Sequence, residues 1–445
     1  MVAGWIKPEK AAADRPWPRR STVVALLKFD SSSIRDSAEL RPGPGVDRLK
    51  ALTECNKPLG FTGYWASNPL LHFSFFSPSL LLWPSKKGNP SNAAYAVCAT
   101  PATAHKHREP HRQQMMASSA GRSSTCHSKI PEFLLGPIGQ PMPAVGLGTA
   151  SHPFVEEEVR AAVLTALELG YRHIDTAALY ASERAVGEAM AEAVRRGIVT
   201  SREELFVTSK VWCTQCHPEL VLPSLKESLQ NLQMEYVDLY LIHWPMAVKP
   251  SKPHFPMKRE DIVPMDLSGV WHAMEECHRL GLTKMIGVSN FTTKKLQELL
   301  AVAKIPPAVN QVELNPTWQQ KKLIGFCKDK NIQVAAYSPL GGQRIPKMNP
   351  VRQSDVLEEI GKARGKSVAQ ISLRWIYEQG ASMVVKSLKR ERLKENIEIF
   401  DWELSDGDRL KIDQIPQRKL ITVQNLLCPE GISSVDISDV DVFET

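Results

Sequence analysis

No stretch of this chain approaches the roughly 18–20 uninterrupted apolar residues that a membrane-spanning helix needs. The nearest block, Pro69 to Pro84 (PLLHFSFFSPSLLLWP), is too short and is broken by Pro78, so a membrane protein is set aside. Cysteine is sparse as well. Eight are dispersed through 445 residues (Cys55, Cys98, Cys126, Cys213, Cys216, Cys277, Cys327 and Cys428), and a chain of this length needs no covalent staples. That usage excludes a disulfide scaffold and fits a reducing compartment. An excess of one charge is missing where the chain reads as folded. The formal net charge is +7, but residues 1–127 hold 17 Lys/Arg against 8 Asp/Glu, leaving 38 against 40 for the remainder. A near-neutral body gives no electrostatic footprint for phosphate backbones, so nucleic-acid binding is not expected. Paired metal ligands are lacking too. Cys213-Thr214-Gln215-Cys216-His217 fits the C-x-x-C-H haem-attachment pattern, yet such haems need export, and no second ligand pair at zinc spacing lies nearby. We read the two cysteines as loop residues, with an oxidation-sensitive thiol as the alternative, and expect no metal. The histidines His105, His107 and His111 read as compositional.

The first 115 residues, rich in Ser, Pro and Arg, carry no sustained period of 3.6 or 2 and read as a leader without a fold of its own. A secretory signal would need an early apolar region, whereas Trp5 to Arg20 is polar and contains three prolines. Two readings stay open: a plastid transit peptide, or translation from Met115 or Met116 with a cytoplasmic product. The expected division is a leader over 1–127 and one folded domain over 128–445.

From Ile130 the texture becomes short apolar runs alternating with amphipathic segments. The runs are Ala144–Thr149, Arg172–Thr176, Leu205–Trp212, Val237–His243, Lys284–Asn290, Ala308–Leu314, Gln333–Pro339 and Ser382–Ser387. Their continuous apolar character suits parallel strands covered on both faces. Phe154–Gly170 shows the helical pattern between them, with Val155, Val159, Val163 and Leu167 at intervals of four and Gly170 placed to close the end. Eight strand–helix units predict a (β/α)8 TIM barrel. The rival open sheet would show G-x-G-x-x-G after its first strand; Gly146-Leu147-Gly148-Thr149-Ala150-Ser151 lacks the third glycine. Ile130–Pro143, with two extended pieces around Gly136-Pro137, predicts a hairpin closing the bottom of the barrel.

Catalytic residues of such barrels lie at the carboxyl ends of strands. Asp175 and, just beyond it, Tyr180 follow the second run; Lys210 is near the end of the third; His243 closes the fourth. A charge inside FVTSKVW (Phe206–Trp212) is costly unless paired, and Asp175 is the partner at hand. For either residue alone a buried salt bridge is the plainer reading; the four together point to chemistry. A phenol beside a buried ammonium has its anion stabilised, which predicts a lowered pKa for Tyr180. Tyr180 would protonate a carbonyl oxygen, His243 would orient that oxygen, and Asp175 would hold Lys210 charged. Lys386 and Ser387 end the eighth run and Arg392 opens the next helix, a setting that favours a phosphate. Trp212 and Trp244 are expected to wall a pocket for a small carbonyl compound, with plain core packing as the alternative.

GYRHIDTAALY (Gly170–Tyr180), LYLIHWP (Leu239–Pro245), IGVSNF (Ile286–Phe291) and KSLKRERLKEN (Lys386–Asn396) resemble the successive signatures of the aldo-keto reductases, over about residues 130 to 420. The resemblance implies NADPH as cofactor. By it, Ser289, Asn290 and Gln311 would hold the nicotinamide carboxamide and Tyr337 would stack on the ring. Lys386, Ser387 and Arg392 would grip the 2′-phosphate, with Glu395 and Asn396 near the adenine. Thr149, Asp175, Ser338 and Leu340 complete the implied cofactor set, and His243 also counts among the substrate contacts. VWCTQCHPEL (Val211–Leu220), AMEECHRLGLTKMIGVSNF (Ala273–Phe291) and FDWELSDGD (Phe400–Asp408) are similar to plant reductases that include deoxymugineic acid synthases, chalcone reductases and alkaloid ketone reductases. The implied activity is reduction of an aldehyde or ketone by a monomer in plant specialised metabolism. Its alternatives are a polyketide reductase working with a partner synthase and a non-catalytic cofactor-binding barrel. Two stretches depart from these relatives: the loop Gly341–Asp355, where Arg344 and Lys347 are left to supply charge to the pyrophosphate, and the tail after Arg418.

Overall fold

The computed structural model describes residues 130–342 and 349–441. The leader, Cys55, Cys98, Cys126, the histidines at 105, 107 and 111, and both Arg344 and Lys347 lie outside the described residues. The described chain opens with an antiparallel hairpin, β1 (Glu132–Leu135) and β2 (Gln140–Pro143). Eight parallel strands follow: β3 (Val145–Gly148), β4 (His173–Asp175), β5 (Phe206–Val211), β6 (Val237–Ile242), β9 (Thr283–Ser289), β10 (Val309–Glu313), β11 (Gln333–Tyr337) and β12 (Ser382–Val385). The short pair β7 (Ala247–Val248) and β8 (Ile262–Val263) forms a separate antiparallel hairpin. The eight parallel strands pair in chain order, and β12 returns to β3 with Met383 opposite Val145, closing the barrel.

All eight expected runs are barrel strands, seven of them trimmed at their ends and one, expected over Lys284–Asn290, shifted back by one residue to Thr283–Ser289. Every residue of β5 and of β6 is buried, as the apolar runs require when helices cover the outer face. Those helices are α1 (Glu156–Glu168), α2 (Glu183–Arg195), α3 (Pro218–Leu232), α4 (Leu267–Arg279), α5 (Thr293–Leu300), α6 (Lys321–Asp329), α7 (Asp355–Arg364), α8 (Val368–Glu378), α9 (Arg390–Ile397) and α10 (Asp406–Asp413). In α1 the buried stripe runs through Val159, Ala162, Val163, Ala166 and Leu167, and Gly170 takes the left-handed φ of 101° just past its end. Val155 is the exception to the expected stripe, for it caps the helix in an extended conformation and is exposed.

The first hairpin does close the amino-terminal end of the barrel. Leu135 and Met142 pack with Phe206, Leu239, Met285, Ala308 and Val309, residues at or near the starts of strands. Higher in the interior, His173 lies against Gly146, where an added Cβ would come within 2.6 Å of the imidazole. Gly146 is thus the close approach that admits a histidine inside the barrel. No described helix is long and apolar enough to cross a membrane.

Candidate active site

Register brings the four expected residues to one side of the mouth. Asp175 ends β4 opposite Thr208 of β5, Lys210 stands two residues further along β5, and His243 follows directly on β6. Tyr180 ends a 3-10 turn, Ala178–Tyr180, that begins three residues after β4. Lys210 Nζ donates to Asp175 Oδ1 at 2.6 Å and to the Thr176 carbonyl at 2.9 Å, with the lysine fully buried. The same ammonium lies 5.0 Å from the centre of the Tyr180 ring. Tyr180 Oη and His243 Nε2 are 3.3 Å apart, and the two rings meet edge to face.

The electrostatics correct one expectation. Burial raises the Tyr180 phenol above its ordinary value; Lys210 pulls it down but does not win, and Asp175 adds to the rise. The phenol is therefore neutral and carries a proton to give. For Lys210, burial favours the neutral amine, yet Asp175 and Tyr180 together outweigh it and leave the pKa raised, so the ammonium persists. Burial, helped by Lys210, pushes His243 well below the usual imidazole range. Its Nδ1 has no hydrogen-bond partner. An orphaned acceptor costs less than an orphaned donor, so the proton belongs on Nε2, which faces Tyr180.

A hydroxyl and amide network braces these groups. Gln311 Nε2 donates to Asp175 Oδ2 at 2.8 Å, occupying the carboxylate oxygen that Lys210 leaves. Thr149 Oγ1 donates to the Asp175 carbonyl and meets Ser182 Oγ, which also meets Thr176 Oγ1. Asn290 takes a left-handed φ of 64°, which a short polar side chain tolerates. The turn aims Nδ2 at the His243 carbonyl, while Oδ1 accepts from the Tyr337 hydroxyl at 2.7 Å. Ser289 Oγ donates to the Gln311 carbonyl. Ser338, also left-handed at φ 48°, and half-buried Leu340 continue from Tyr337.

At the end of β12, half-buried Lys386 donates to Ser151 Oγ at 3.1 Å, and burial lowers its pKa. Ser387 accepts from the Lys389 amide, and α9 starts without a side-chain cap. Arg392, in its first turn, is exposed. Glu395 is half-buried; Asn396 is buried and lies beside Tyr171.

Trp212 is fully buried, donates from Nε1 to the His254 carbonyl, and lies 5.0 Å from the His243 ring centre. It belongs with Trp244 to an apolar cluster that includes Met246, Met257, Val423, Leu426, Leu427 and Val440. Residues of the tail after Arg418 thus pack on the two tryptophans. The loop between β7 and β8 is stitched to the tail, since Met257 N donates to Leu426 O and Cys428 N to Met257 O. Neither contact has a signature in the sequence; the residue that could have pointed to the tail is Glu313, a buried charge at the end of β10 that accepts from Leu420 N and Ile421 N. Cys213 and Cys216 are buried, which pushes both thiols up, Cys216 to about 12. Thiols so protonated are poor nucleophiles, which speaks against the oxidation-sensitive alternative. Among the described residues no group of His, Cys, Asp or Glu is arranged to hold a metal ion.

Known proteins resemble this chain in sequence and in fold. The Aldo/keto reductase family matches residues 144–417. Deoxymugineic acid synthase 1 of Zea mays is 58% identical over 280 residues, 63% of this chain and 89% of that protein. The NAD(P)H-dependent 6'-deoxychalcone synthase of Glycine max is 55% identical over 285 residues, 64% of this chain and 90% of that protein. Among solved structures, a Bombyx mori aldo-keto reductase in complex with NADP superposes with a TM-score of 0.61 at 37% identity, covering 67% of this chain and 96% of that one. The chain belongs to the Aldo/keto reductase family and is an oxidoreductase on a (β/α)8 barrel.

Proposed function

We propose that this protein reduces an aldehyde or ketone to the alcohol with NADPH, the proton coming from Tyr180. The observation that carries the reading is the convergence of Tyr180 Oη and His243 Nε2, 3.3 Å apart, beside the ammonium of Lys210. A carbonyl oxygen set between them receives two donors, a neutral phenol and a neutral imidazole. His243 orients the oxygen through Nε2–H. Tyr180 releases its proton to the forming alkoxide, and the phenolate left behind is stabilised by Lys210. Asp175 keeps Lys210 charged throughout.

The residues present suit a nicotinamide dinucleotide. Gln311 spends one amide hydrogen on Asp175, and Asn290 Oδ1 accepts from Tyr337. Each side chain retains hydrogen-bonding capacity toward a carboxamide, with Ser289 adjacent. Tyr337 would lie against the nicotinamide ring, with Thr149, Ser338 and Leu340 along the same groove. Lys386, Ser387 and Arg392, at the uncapped start of α9, present cations and backbone N–H groups to a 2′-phosphate, with Glu395 and Asn396 following. Bound there, NADPH supplies the hydride. Trp212 and Trp244, buried under the tail beside His243, would back the substrate side with apolar side chains, suited to a small carbonyl compound of plant specialised metabolism.

The test is direct. The full chain is mixed with NADPH and a panel of aromatic and aliphatic aldehydes and ketones, and loss of reduced-nicotinamide absorbance is followed. Turnover of at least one carbonyl is expected; none across the panel would sink the proposal in favour of a non-catalytic barrel.

A further inference from the structure

We infer that Glu313 is a positioning residue for substrate selection, clasping the tail after Arg418 over the mouth of the barrel. It is the last residue of β10, and only 1% of it is exposed. A carboxylate so buried must be answered by donors, and here they come from the tail. Glu313 Oε2 accepts from Leu420 N at 3.1 Å and from Ile421 N at 2.8 Å. Burial raises the carboxyl to about 7, against the pull of the Ile421 and Leu420 amides and of Lys419. Letting go strands a buried acid on one side and two amides on the other, and each orphan carries its own desolvation penalty.

The segment beyond Ile421 gives the clasp its consequence. The chain enters the turn Val423–Leu426, and Val423, Leu426 and Leu427 bury against Trp212 and Trp244. Trp212 in turn packs on His243. The wall beside the reacting carbonyl therefore enters from where Glu313 holds the backbone of residues 420 and 421, and the Met257 hydrogen bonds to Leu426 and Cys428 fasten it beyond the turn. Further holds lie along the tail, where Asp439 takes Lys294 at 3.2 Å and Lys295 at 3.0 Å from α5, and Asp441 takes Lys419 at 2.9 Å and the Val423 amide at 2.6 Å. Lys294 is largely exposed, and pairs of that kind contribute little; the Lys295 and Lys419 pairs are more sheltered but still reach solvent on both sides. Glu313 is the desolvated anchor. Gln311, two residues earlier and so on the same side of β10, braces Asp175. One strand thus carries a brace of the candidate catalytic residues and the fastening of the wall.

The selection role rests on the proposed carbonyl reductase function; the clasp does not, and two measurements separate them. Backbone hydrogen exchange is followed by mass spectrometry on the full chain, comparing wild type with Glu313→Ala and Glu313→Gln. Peptides spanning 419–441 should exchange about tenfold faster in Glu313→Ala, the scale of leaving part-buried amides without their acceptor. Glu313→Gln, which keeps one acceptor oxygen, should fall between, and peptides from β4, β5 and β6 should be unchanged. Unaltered exchange in the tail overturns the clasp. In steady-state kinetics Glu313→Ala should raise KM for a bulky aromatic ketone about tenfold, sparing kcat and the KM of a small aliphatic aldehyde. An equal fall in kcat for both overturns the selection role. If wild type turns over no carbonyl at all, the proposed function fails and selection falls with it, while exchange still decides the clasp.

Discussion

The Asp175 carboxylate is shared between two donors, Lys210 Nζ on one oxygen at 2.6 Å and Gln311 Nε2 on the other at 2.8 Å. The ion pair is sealed from water, with side-chain exposures of 0% and 3%. Removing one member strands the other. Asp175→Asn should lower unfolding free energy by about 3–5 kcal/mol, the range for breaking a buried pair. With the ammonium no longer held, kcat should fall about a hundredfold or more. Urea denaturation and steady-state kinetics check the two effects, and a variant of wild-type stability would mean the pair is not the buried unit described.

Tyr180→Phe removes the proton donor and spares every group assigned to the cofactor. Carbonyl reduction should fall by roughly 100- to 10,000-fold, the usual worth of a positioned general acid, with NADPH affinity nearly unchanged. Fluorescence titration with NADPH beside single-turnover kinetics separates the two. Wild-type activity in this variant would remove Tyr180 from the mechanism.

The strands and the four central residues were legible for a common reason. A parallel strand covered on both faces must be apolar nearly throughout, so β5 and β6 announce themselves and the lysine inside FVTSKV stands out against them. The sign of the Tyr180 shift was not legible, because proximity to Lys210 follows from strand order whereas depth of burial depends on the packed whole. The tail was hidden for a different reason. Glu313 and Leu420 lie 107 residues apart, and the tail has no period that would mark which of its residues turn inward. The two-residue strands β7 and β8 are too short to leave any pattern.

Arg392 lies exposed in the first turn of α9, beyond the Lys386–Ser387 end of β12. If it meets the 2′-phosphate, its truncation discriminates between cofactors. Arg392→Ala should weaken NADPH binding by about 10-fold or more, the scale of a charge-assisted hydrogen bond, and leave NADH nearly untouched. Dissociation constants for both cofactors test this, and an equal loss for the two would contradict the assignment.

His173 gives the fold a pH dependence of defined sign. Burial lowers its pKa from 6.5 to about 4, with Asp175 pulling the other way. Its ring lies edge-on to Phe206, and Nε2 is 3.1 Å from Thr208 Oγ1. Between those two values the unfolded chain binds a proton that the folded chain refuses. Stability from the neutral imidazole is therefore whole above about 6.5 and drains away as pH falls toward 4. The loss amounts to roughly 3 kcal/mol by linkage. His173→Asn has no such proton to take up, so its denaturation free energy should fall less than that of wild type over the same window. Parallel curves for the two proteins from pH 7 to pH 4 would show that His173 titrates normally in the folded state.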